Sequence, residues 1–193
     1  ALITAGPTHE PIDPVRFIGN YSSGKQGYAI ASALQTAGAD VTLISGPTAL
    51  PAPPEVKTIR VQTAREMLAA CENNLPADIA ICAAAVADWH VEEAPHKIKK
   101  TAQAAPPALN FNENPDILQT IANHKNRPAL VIGFAAESEN LLNNARAKLD
   151  KKGCDWIIAN ATTNADGENT FGNDQNHVFL ITRDKQEEWP KAA

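Results

Sequence analysis

The chain has 193 residues, of which 44% are hydrophobic and 20% are charged, and this composition is typical of a folded domain with a core of ordinary size. Its formal net charge of -5 argues against a general nucleic-acid-binding protein. No apolar segment approaches the roughly 20 residues that a membrane-spanning helix requires. We therefore expect a single domain over residues 1–193, located in the cytoplasm, with neither nucleic acid nor a membrane as its partner.

Short apolar segments alternate with amphipathic segments along most of the chain. The segments predicted as strands are residues 2–5, 41–45, 56–61, 79–85, 130–134 and 156–159. The segments predicted as helices are residues 24–37, 63–74, 115–123 and 139–152. Because several strands are apolar throughout and alternate with helices, the pattern predicts a Rossmann-like α/β fold, a doubly wound and mostly parallel sheet with helices on both faces.

The ends of the predicted helices carry recognisable signals. Ser22 and Ser23 are predicted to cap the first helix, and Gly38 to end it. Pro115 suits the first turn of the third helix, because proline needs no hydrogen-bond donor there.

Four further segments depart from this alternation. Residues 169–176 are rich in turn-forming residues, and residues 177–182 alternate like an edge strand or one arm of a C-terminal β-hairpin. Residues 6–23 and 86–107 are too long for simple turns, and each follows a predicted strand. Because open α/β sheets bind ligands at the carboxyl ends of their strands, we expect these two long segments to contribute to a functional site.

Residues 19–26 read GNYSSGKQ and nearly match the P-loop pattern GxxxxGK[S/T]. Gln26 stands where the pattern needs a hydroxyl for Mg²⁺, and the segment lies too far behind the strand that ends at Ala5. Two serines, a glycine and a lysine at a helix N-terminus nevertheless suit an anion. Taken alone, the segment favours an ordinary serine-capped helix.

The segment does not stand alone, because residues 3–27 read ITAGPTHEPIDPVRFIGNYSSGKQG. Four more segments accompany it: AAAVADW at residues 83–89, KIKK at 97–100, NPDIL at 114–118 and GFAAE at 133–137. Together they closely resemble the phosphopantothenoylcysteine synthetase (phosphopantothenate–cysteine ligase) family, usually the C-terminal domain of a bacterial bifunctional protein. The resemblance runs from Ile3 to about Val178. It implies one ligase domain excised from a longer bifunctional chain.

The resemblance implies an enzyme of coenzyme A biosynthesis that joins 4′-phosphopantothenate to L-cysteine. In bacterial members CTP activates the substrate carboxylate through an acyl-cytidylate and releases pyrophosphate, and Mg²⁺ is expected with the nucleotide. A covalently linked N-terminal decarboxylase domain is implied for the full protein, with FMN bound on that domain only. Because a carboxylate must become a mixed anhydride before it accepts an amine, the site needs positioned cations and backbone donors around the phosphates.

Carried over residue by residue, the resemblance implies that Asn20 and Lys97 are catalytic and that Arg16 and Asn20 bind the substrate, with Arg16 on its phosphate. The residues implied for nucleotide binding are Gly6, Ser22, Ser23, Gly24, Ala83, Ala84, Asp88, Lys97, Pro115, Asp116, Ile117, Leu118, Phe134, Lys148 and Lys152. The sequence does not identify metal ligands. The choice of CTP over other nucleotides rests on the resemblance alone.

Most of these residues also have an ordinary structural interpretation. Asn20 suits a turn, and Arg16 suits a surface position where Asp13 pairs with it. Phe134 suits the core, and the two lysines of the last helix suit a solvated helix C-terminus.

Lys97 belongs to a basic segment, residues 97–100, that we interpret as a flap over the phosphates. Because its loop is rich in lysine, alanine and proline, we expect little to hold it down, and we expect it to be mobile until a nucleotide binds. The alternative interpretation is a solvated surface loop.

The resemblance also implies a homodimer. We expect the edge strand over residues 177–182 to pair across the two-fold axis, and Arg16 to serve the site of the neighbouring protomer.

Two other classes of function are compatible with the fold class. A nicotinamide-dependent oxidoreductase would need GxGxxG after the first strand, where residues 6–10 read GPTHE. A non-catalytic nucleotide-binding module would need neither Arg16 and Asn20 nor the lysine flap. The cysteines are predicted to be free thiols, and the five histidines show no metal-ligand spacing.

Overall fold

The computed structural model describes residues 1–100, 108–161 and 176–192. Residues 101–107 of the second long segment and residues 169–175 of the turn-rich tail lie outside the described residues. The first part of the chain forms β1 (Leu2–Ala5), β2 (His9–Asp13), β3 (Arg16–Gly19), α1 (Lys25–Thr36), β4 (Thr42–Ser45), β5 (Lys57–Arg60), α2 (Ala64–Glu72), β6 (Ile79–Cys82) and β7 (Trp89–Val91). The second part forms β8 (Phe111–Glu113), α3 (Ile117–Ala122), β9 (Leu130–Glu137), α4 (Leu141–Lys152), β10 (Trp156–Ala161), β11 (Asn176–Ile181) and β12 (Gln186–Ala192).

One large sheet organises the fold, with the strand order β12-β11-β10-β9-β6-β1-β4-β5. The strands from β10 to β5 in this order run parallel to one another, whereas β11 and β12 are antiparallel. The chain winds from β1 to one edge and then from β6 to the other, which is the doubly wound arrangement. The predicted Rossmann-like, mostly parallel sheet with a C-terminal hairpin is confirmed.

The edge of the sheet lies one strand further along the chain than predicted. β11 pairs with β10 on one side and with β12 on the other, so the prediction of residues 177–182 as an unpaired edge is wrong. The sequence of β12, QEEWPKA, gives no alternating apolar pattern from which a strand could be predicted. Its charged residues instead suit an exposed edge strand.

Successive residues of each strand face opposite sides of the sheet and build two separate cores. Ile3 and Leu43 are fully buried and pack with Tyr28 of α1 on one side. Leu2 and Ile44, their neighbours in sequence, belong to the core on the other side with α2, α3 and α4. Because burial of each such aliphatic side chain contributes about 1.5–3 kcal/mol, both layers hold the sheet in place.

The helix α1 begins one residue later than predicted and has a different cap. Its N-cap is Gly24, with a left-handed φ of 77°, and no side chain caps the helix, so the predicted serine cap is wrong. Because the serines lie before this left-handed residue, they reach only the nearest donors: Ser22 Oγ accepts from the Gly24 N–H at 3.3 Å and Ser23 Oγ from the Lys25 N–H at 3.4 Å. Gly38, at φ 91°, follows the last turn as predicted.

The short helix α3 starts at an aspartate and not at the proline before it. The Asp116 carboxylate accepts a hydrogen bond from the Gln119 N–H at 3.0 Å and is the N-cap, so Pro115 lies outside the first turn. The helix packs closely on β9 because Gly133 has no side chain. A Cβ at that residue would lie 2.4 Å from Cδ2 of Leu118.

The first long segment contains the antiparallel hairpin β2–β3, and the second contains β7, which pairs in an antiparallel hairpin with β8 just beyond the segment, where the sequence indicates only loops. In the first hairpin Glu10 is buried, and its carboxylate accepts from the Ala64 N–H at the start of α2 at 2.9 Å. Pro11 and Pro14 interrupt the strand pattern of β2–β3, and residues 92–110 separate β7 from β8. The stabilising partners are therefore distant in sequence, and local patterning does not reveal them.

Gly27 lets α1 approach β1 closely, and an alanine there should destabilise the fold. A Cβ at residue 27 would lie 2.5 Å from the Ala5 Cβ and 3.2 Å from the Thr4 carbonyl oxygen. We expect Gly27→Ala to lower the free energy of unfolding by about 1–3 kcal/mol, the usual cost of overpacking. At an open helix position the same change raises stability by roughly 0.5–1 kcal/mol. Urea denaturation measures whether the free energy of unfolding falls or rises. Ala33→Gly, on the exposed face of α1, gives the contribution of helix propensity alone. A higher free energy of unfolding in Gly27→Ala would contradict the close contact.

Candidate functional site

A cleft of about 480 Å³ opens at the carboxyl ends of β6 and β9. Most of the residues predicted to bind the nucleotide line it: Ala84, Asp88, Pro115, Asp116, Ile117, Leu118, Phe134, Lys148 and Lys152. The sequence did not single out the other lining residues, which are Thr4, Cys82, Val86, Ala87, Trp89, Glu113, Asn114, Gln119 and Lys151. The fold thus brings the loop after β6, the start of α3, the end of β9 and the end of α4 together. That these residues bind a nucleotide remains a prediction.

The loop after β6, which forms one wall of the cleft, is fixed to the chain that leaves β1. The Ala85 N–H donates to the Gly6 carbonyl at 2.9 Å. The Thr8 hydroxyl accepts from the Ala87 N–H at 2.9 Å, and Thr8 is fully buried. Because buried hydrogen bonds are costly to break, this wall has a defined position before any ligand binds.

Positive charge enters the cleft from the last turns of α4. Lys148, Lys151 and Lys152 line the cleft, and Lys152 forms an ion pair with Asp116. Burial lowers the pKa of Lys148, and the nearby Glu137 carboxylate partly offsets that shift. An anion in the cleft would favour the charged form of Lys148 and would compete with Asp116 for Lys152. The cleft is therefore suited to a ligand that carries phosphates.

The thiol on the cleft wall is not a nucleophile at neutral pH. Burial raises the pKa of Cys82 to about 12 and that of Cys154 to about 11, and it raises the pKa of Cys71 as well. All three are free thiols, as predicted. Because the thiolate is the reactive form, Cys82 contributes to the wall by packing and not by covalent chemistry.

Six predicted nucleotide residues do not line the cleft: Gly6, Ser22, Ser23, Gly24, Ala83 and Lys97. Ala83 directly precedes Ala84 of the cleft wall. Gly6 and Gly24 both have positive φ. A Cβ would lie 2.7 Å from the Thr48 methyl group if added to Gly6 and 2.8 Å from it if added to Gly24, so the chain after β1 and the chain before α1 pack closely together there. Thr48 also belongs to a second cleft of about 450 Å³, which is lined by Gly46, Pro47, Thr48, Arg60, Val61, Gln62 and Glu66.

Arg16, at the start of β3, pairs with Asp13, which is the structural alternative that the sequence left open. Its guanidinium donates to Asp13 Oδ2 through Nε, at 3.1 Å, and through Nη2. This pairing holds the pKa of the Asp13 carboxyl well below its usual range. Arg16 does not line the cleft, but 46% of its side-chain surface is exposed, so a ligand phosphate can still reach it.

Asn20 lies at the edge of the cleft without being part of its lining. Its side-chain Nδ2 donates to the Val86 carbonyl at 2.9 Å, and Val86 lines the cleft. The amide is thus held against the wall after β6. Its predicted contact with the acyl group is compatible with this position and remains a prediction.

Lys97 is exposed and does not line the cleft, but its loop is attached to the first hairpin. The Ala94 N–H donates to the Ile12 carbonyl at 2.9 Å, and the Ile98 N–H donates to Asp13 Oδ2 at 3.0 Å. For residues 94–98 the expectation that little holds this loop down is therefore wrong, whereas the ordering of the loop by a nucleotide remains a prediction. Composition suggested a loose loop because the attachments are backbone groups, which composition does not reveal.

Asn114 links two walls of the cleft, and sequence reasoning missed it. Its Nδ2 donates to the Ala87 carbonyl at 2.9 Å, and its backbone N–H donates to the Asp88 carbonyl at 2.8 Å. The only available signal was its position immediately before Pro115, at the start of the segment NPDIL. Asn114 therefore holds the start of α3 against the loop after β6.

Two structural features were sought in the part of the chain that the structure describes. Within residues 1–100, 108–161 and 176–192, no three His, Cys, Asp or Glu side chains are grouped to hold a metal ion. None of the helices described there is both long enough and apolar enough to cross a membrane.

Residues 1–193 match the family model described as the DNA/pantothenate metabolism flavoprotein C-terminal domain. The chain is 46% identical over 186 residues to the coenzyme A biosynthesis bifunctional protein CoaBC of Escherichia coli strain K12, which covers 95% of this chain and 45% of that protein. It is 44% identical over 199 residues to the protein of the same name from Mycobacterium tuberculosis strain H37Rv, with 96% and 46% covered. The chain therefore spans less than half the length of these relatives.

Solved structures resemble the fold along nearly the whole chain. The crystal structure of the C-terminal domain of the coenzyme A biosynthesis bifunctional protein CoaBC has a TM-score of 0.77 and 40% identity, covering 98% of this chain and 84% of that one. The DNA/pantothenate metabolism flavoprotein from Streptococcus pneumoniae has a TM-score of 0.80 and 24% identity, covering 97% and 90%. At 24% identity the second likeness shows the fold alone.

Lys152→Gln should weaken the binding of CTP, the nucleotide that the sequence resemblance implies. The change removes a cation from the cleft and leaves the Asp116 carboxylate unpaired against the incoming phosphates. A hydrogen bond to a charged group contributes about 1.5–3 kcal/mol, so we expect the dissociation constant to rise about 10- to 100-fold in calorimetric titrations with Mg²⁺. Lys125→Gln, on an exposed turn outside the cleft, should leave it unchanged. Equal weakening in both variants would mean that Lys152 acts only through net charge.

Proposed function

The chain belongs to the family described as the DNA/pantothenate metabolism flavoprotein C-terminal domain, and from that membership we propose that it is a ligase of coenzyme A biosynthesis. In this proposal it joins 4′-phosphopantothenate to L-cysteine, and CTP activates the carboxylate. The names of the relatives, which refer to coenzyme A biosynthesis, support this assignment. Because the chain spans less than half of those bifunctional relatives, we also propose that it works as one domain of a longer protein whose decarboxylase domain binds FMN.

The observation that carries the proposal is the set of side chains in the cleft at the carboxyl ends of β6 and β9, which we call the main cleft. Segments that are far apart in sequence meet there and supply two kinds of surface. Phe134 and Leu118 offer apolar surface for a base, while Lys148 and Lys152 offer positive charge for phosphates. A nucleoside triphosphate needs both kinds of surface within one site.

In the first proposed step, a carboxylate oxygen of 4′-phosphopantothenate attacks the α-phosphorus of CTP. The bond from that phosphorus to the bridging oxygen breaks, pyrophosphate leaves, and an acyl-cytidylate forms. No proton has to move, because the attacking carboxylate is already ionised at neutral pH. Lys148, Lys152 and the flap residue Lys97 would stabilise the negative charge that builds up on the leaving pyrophosphate.

In the second step, the neutral amine of L-cysteine attacks the acyl carbon, the bond from that carbon to the phosphate oxygen breaks, CMP leaves, and the proton that the nitrogen loses passes to solvent water. Negative charge develops on the acyl oxygen during this attack and needs a hydrogen-bond donor. A side-chain amide carries two N–H groups, and Asn20 uses one of them on the Val86 carbonyl. We assign the second N–H of Asn20 to the acyl oxygen.

We propose that Mg²⁺ arrives with the triphosphate, which matches its preference for one or two carboxylates together with substrate phosphates. Asp88 is an exposed carboxylate of the cleft and fits that role. Asp116 fits less well because it caps α3 and pairs with Lys152. When bound, the ion would neutralise part of the charge on the phosphates.

The exposed apolar residues of the two hairpins support a homodimer. Val15, Phe17, Tyr21, Trp89 and Phe111 each expose between 53% and 89% of their surface. Large apolar side chains exposed to this extent are typical of a protein interface. We propose this surface in place of the edge strand that the sequence suggested. Because the first hairpin also carries Arg16, a dimer built on it would bring that residue towards the neighbouring protomer.

Neither alternative class of function gains support. A nicotinamide-dependent oxidoreductase needs a tight glycine turn between its first strand and helix, whereas the hairpin β2–β3 lies between β1 and α1 here. A non-catalytic nucleotide-binding module would need neither the exposed guanidinium of Arg16 nor the second N–H of Asn20 beside the cleft. The free thiols of the described cysteines agree with our proposal of a cytoplasmic location.

The proposed reaction predicts which product appears at each stage. With CTP, Mg²⁺ and 4′-phosphopantothenate, pyrophosphate should form in the absence of cysteine, and CMP should appear only after cysteine is added. A coupled pyrophosphate assay and chromatography of the nucleotides measure the two products, with ATP, GTP and UTP as base controls. Formation of inorganic phosphate in place of pyrophosphate would exclude the acyl-nucleotide mechanism.

The same assay tests the acyl site through Asn20→Asp. This change keeps the size of the side chain but sets a negative charge against the Val86 carbonyl and the acyl oxygen. The rate should fall about 10²- to 10³-fold, the usual cost of losing one such donor, with little change in melting temperature. Asn112→Asp, the same chemical change at an exposed residue of β8 outside the cleft, should leave turnover normal. Unchanged turnover in Asn20→Asp would remove this residue from the acyl site.

From the exposed apolar residues of the two hairpins we predict a dimer that depends on Phe17. Analytical ultracentrifugation at micromolar concentration should give a dimer, and Phe17→Ser should shift it towards the monomer because it removes exposed apolar area. Trp189→Ser removes another exposed aromatic residue, on β12, and should leave the dimer intact. A monomeric native chain would refute the dimer, and dissociation by Trp189→Ser alone would move the interface to the sheet edge.

A further inference from the structure

Asp13, at the end of β2, accepts hydrogen bonds from two parts of the chain. Its side chain is fully buried beside Arg16. Oδ1 accepts from the N–H groups of Val15 and Arg16, both at 2.9 Å, and these bonds close the hairpin turn. Oδ2 accepts from the Arg16 guanidinium and, at 3.0 Å, from the N–H of Ile98. One carboxylate therefore joins the hairpin to the basic loop.

The contact with Ile98 is not explained by the hairpin turn, because 85 positions separate the two residues. Arg16 forms a second hydrogen bond with the same residue, because its Nη2 donates to the Ile98 carbonyl at 2.7 Å. The Asp13–Arg16 pair thus binds both backbone groups of one residue, as a neighbouring strand would. Lys97 is the residue immediately before Ile98.

We infer that Asp13 is a positioning residue for Lys97 and acts through the backbone of Ile98. The inference rests on the proposed function, because Lys97 has a role only if a nucleotide is activated in the cleft. With Ile98 held, Lys97 loses less conformational entropy when its ammonium group reaches the phosphates. We call the two hydrogen bonds from Asp13 and Arg16 to the backbone of Ile98 the anchor. Loss of the anchor should slow pyrophosphate release without unfolding the domain.

Asp13→Asn separates the anchor from the hairpin turn. A carboxylate accepts hydrogen bonds at both oxygens, whereas an amide has one accepting oxygen and an NH₂ group that only donates. Both oxygens of Asp13 face N–H donors, so the NH₂ group must meet a donor in either orientation. We expect the amide oxygen to keep the two backbone donors of the turn and to release Ile98. Glu10→Gln is the matched control, because it removes the charge of another buried carboxylate of β2 that contacts Ala64 and not the loop.

Amide hydrogen exchange tests the anchor in the absence of any ligand. In the native chain the Ile98 N–H should be protected, and Asp13→Asn should accelerate its exchange about tenfold or more, as expected for the loss of a charged hydrogen bond. Glu10→Gln should leave this rate unchanged, and the amides of β6 should stay protected in both variants. Unchanged exchange at Ile98 in Asp13→Asn overturns the anchor.

A double-mutant cycle tests whether the anchor acts through Lys97. Asp13→Asn should slow pyrophosphate release at least tenfold, and it should have little further effect when Lys97→Gln is already present. Residues that act through one another give such non-additive effects, whereas independent residues give additive ones. If the two losses multiply, Asp13 only supports the fold and the positioning role is overturned.

The two measurements also separate this inference from the proposed function. If the native chain releases no pyrophosphate with any nucleotide, the proposed function and the role of Asp13 in it both fail, while exchange at Ile98 still decides whether the anchor exists. If Asp13→Asn does not fold, Ile98→Pro removes the same N–H from the side of the loop. That variant should keep the native melting temperature and release pyrophosphate at least tenfold more slowly, and a normal rate would contradict the inference.

Discussion

The hydrogen bonds that join the end of β1 to the loop after β6 hold the parts of the candidate site in register. The Ala85 N–H reaches the Gly6 carbonyl, and the Ala87 N–H reaches the buried hydroxyl of Thr8. From Thr8 the chain continues into the hairpin β2–β3, and at its far end Asn20 returns to the Val86 carbonyl of the same loop. The loop after β6 is thus bound from both ends of the hairpin, and the cleft wall, the Asn20 amide and the Arg16 guanidinium keep fixed relative positions.

The charges of the cleft are largely balanced before a ligand arrives. Lys152 is paired with Asp116, and burial makes the charged form of Lys148 less favourable than it is in water. A ligand with several negative charges would therefore replace Asp116 as the partner of Lys152 and would favour the charged form of Lys148. In the proposed function this arrangement would favour highly anionic ligands, because a neutral molecule gains nothing from either lysine.

The central sheet was predictable because its strands are short, apolar and separated by amphipathic helices, and parallel strands buried on both faces have that pattern. The residues of the main cleft were predictable through the resemblance, since Asp88, the segment 114–118 and Phe134 belong to the segments AAAVADW, NPDIL and GFAAE that carry it. The hairpins were not predictable. Glu10 is stabilised by the start of α2, and Asp13 by Ile98, and no local pattern records those partners.

The finer errors have similar physical causes. Serine hydroxyls before a helix usually indicate a cap, but here Gly24, in a left-handed conformation, occupies the N-cap position, and Ser22 and Ser23 accept only from the N–H groups of Gly24 and Lys25. β12 carries charges where a buried strand would carry aliphatic residues, because an exposed edge tolerates them. Local propensity therefore failed where the backbone adopted an unusual conformation or where one element depended on a distant one.

The most direct test of this account is a crystal structure of the chain with CTP and Mg²⁺. The account predicts electron density for the nucleotide in the cleft at the ends of β6 and β9, with its phosphates within hydrogen-bonding distance of Lys148 and Lys152 and its base near Phe134. The ion pair between Lys152 and Asp116 should be broken or shared in that complex. Nucleotide density in the second cleft, beside Thr48 and Arg60, with the first cleft empty, would contradict the account.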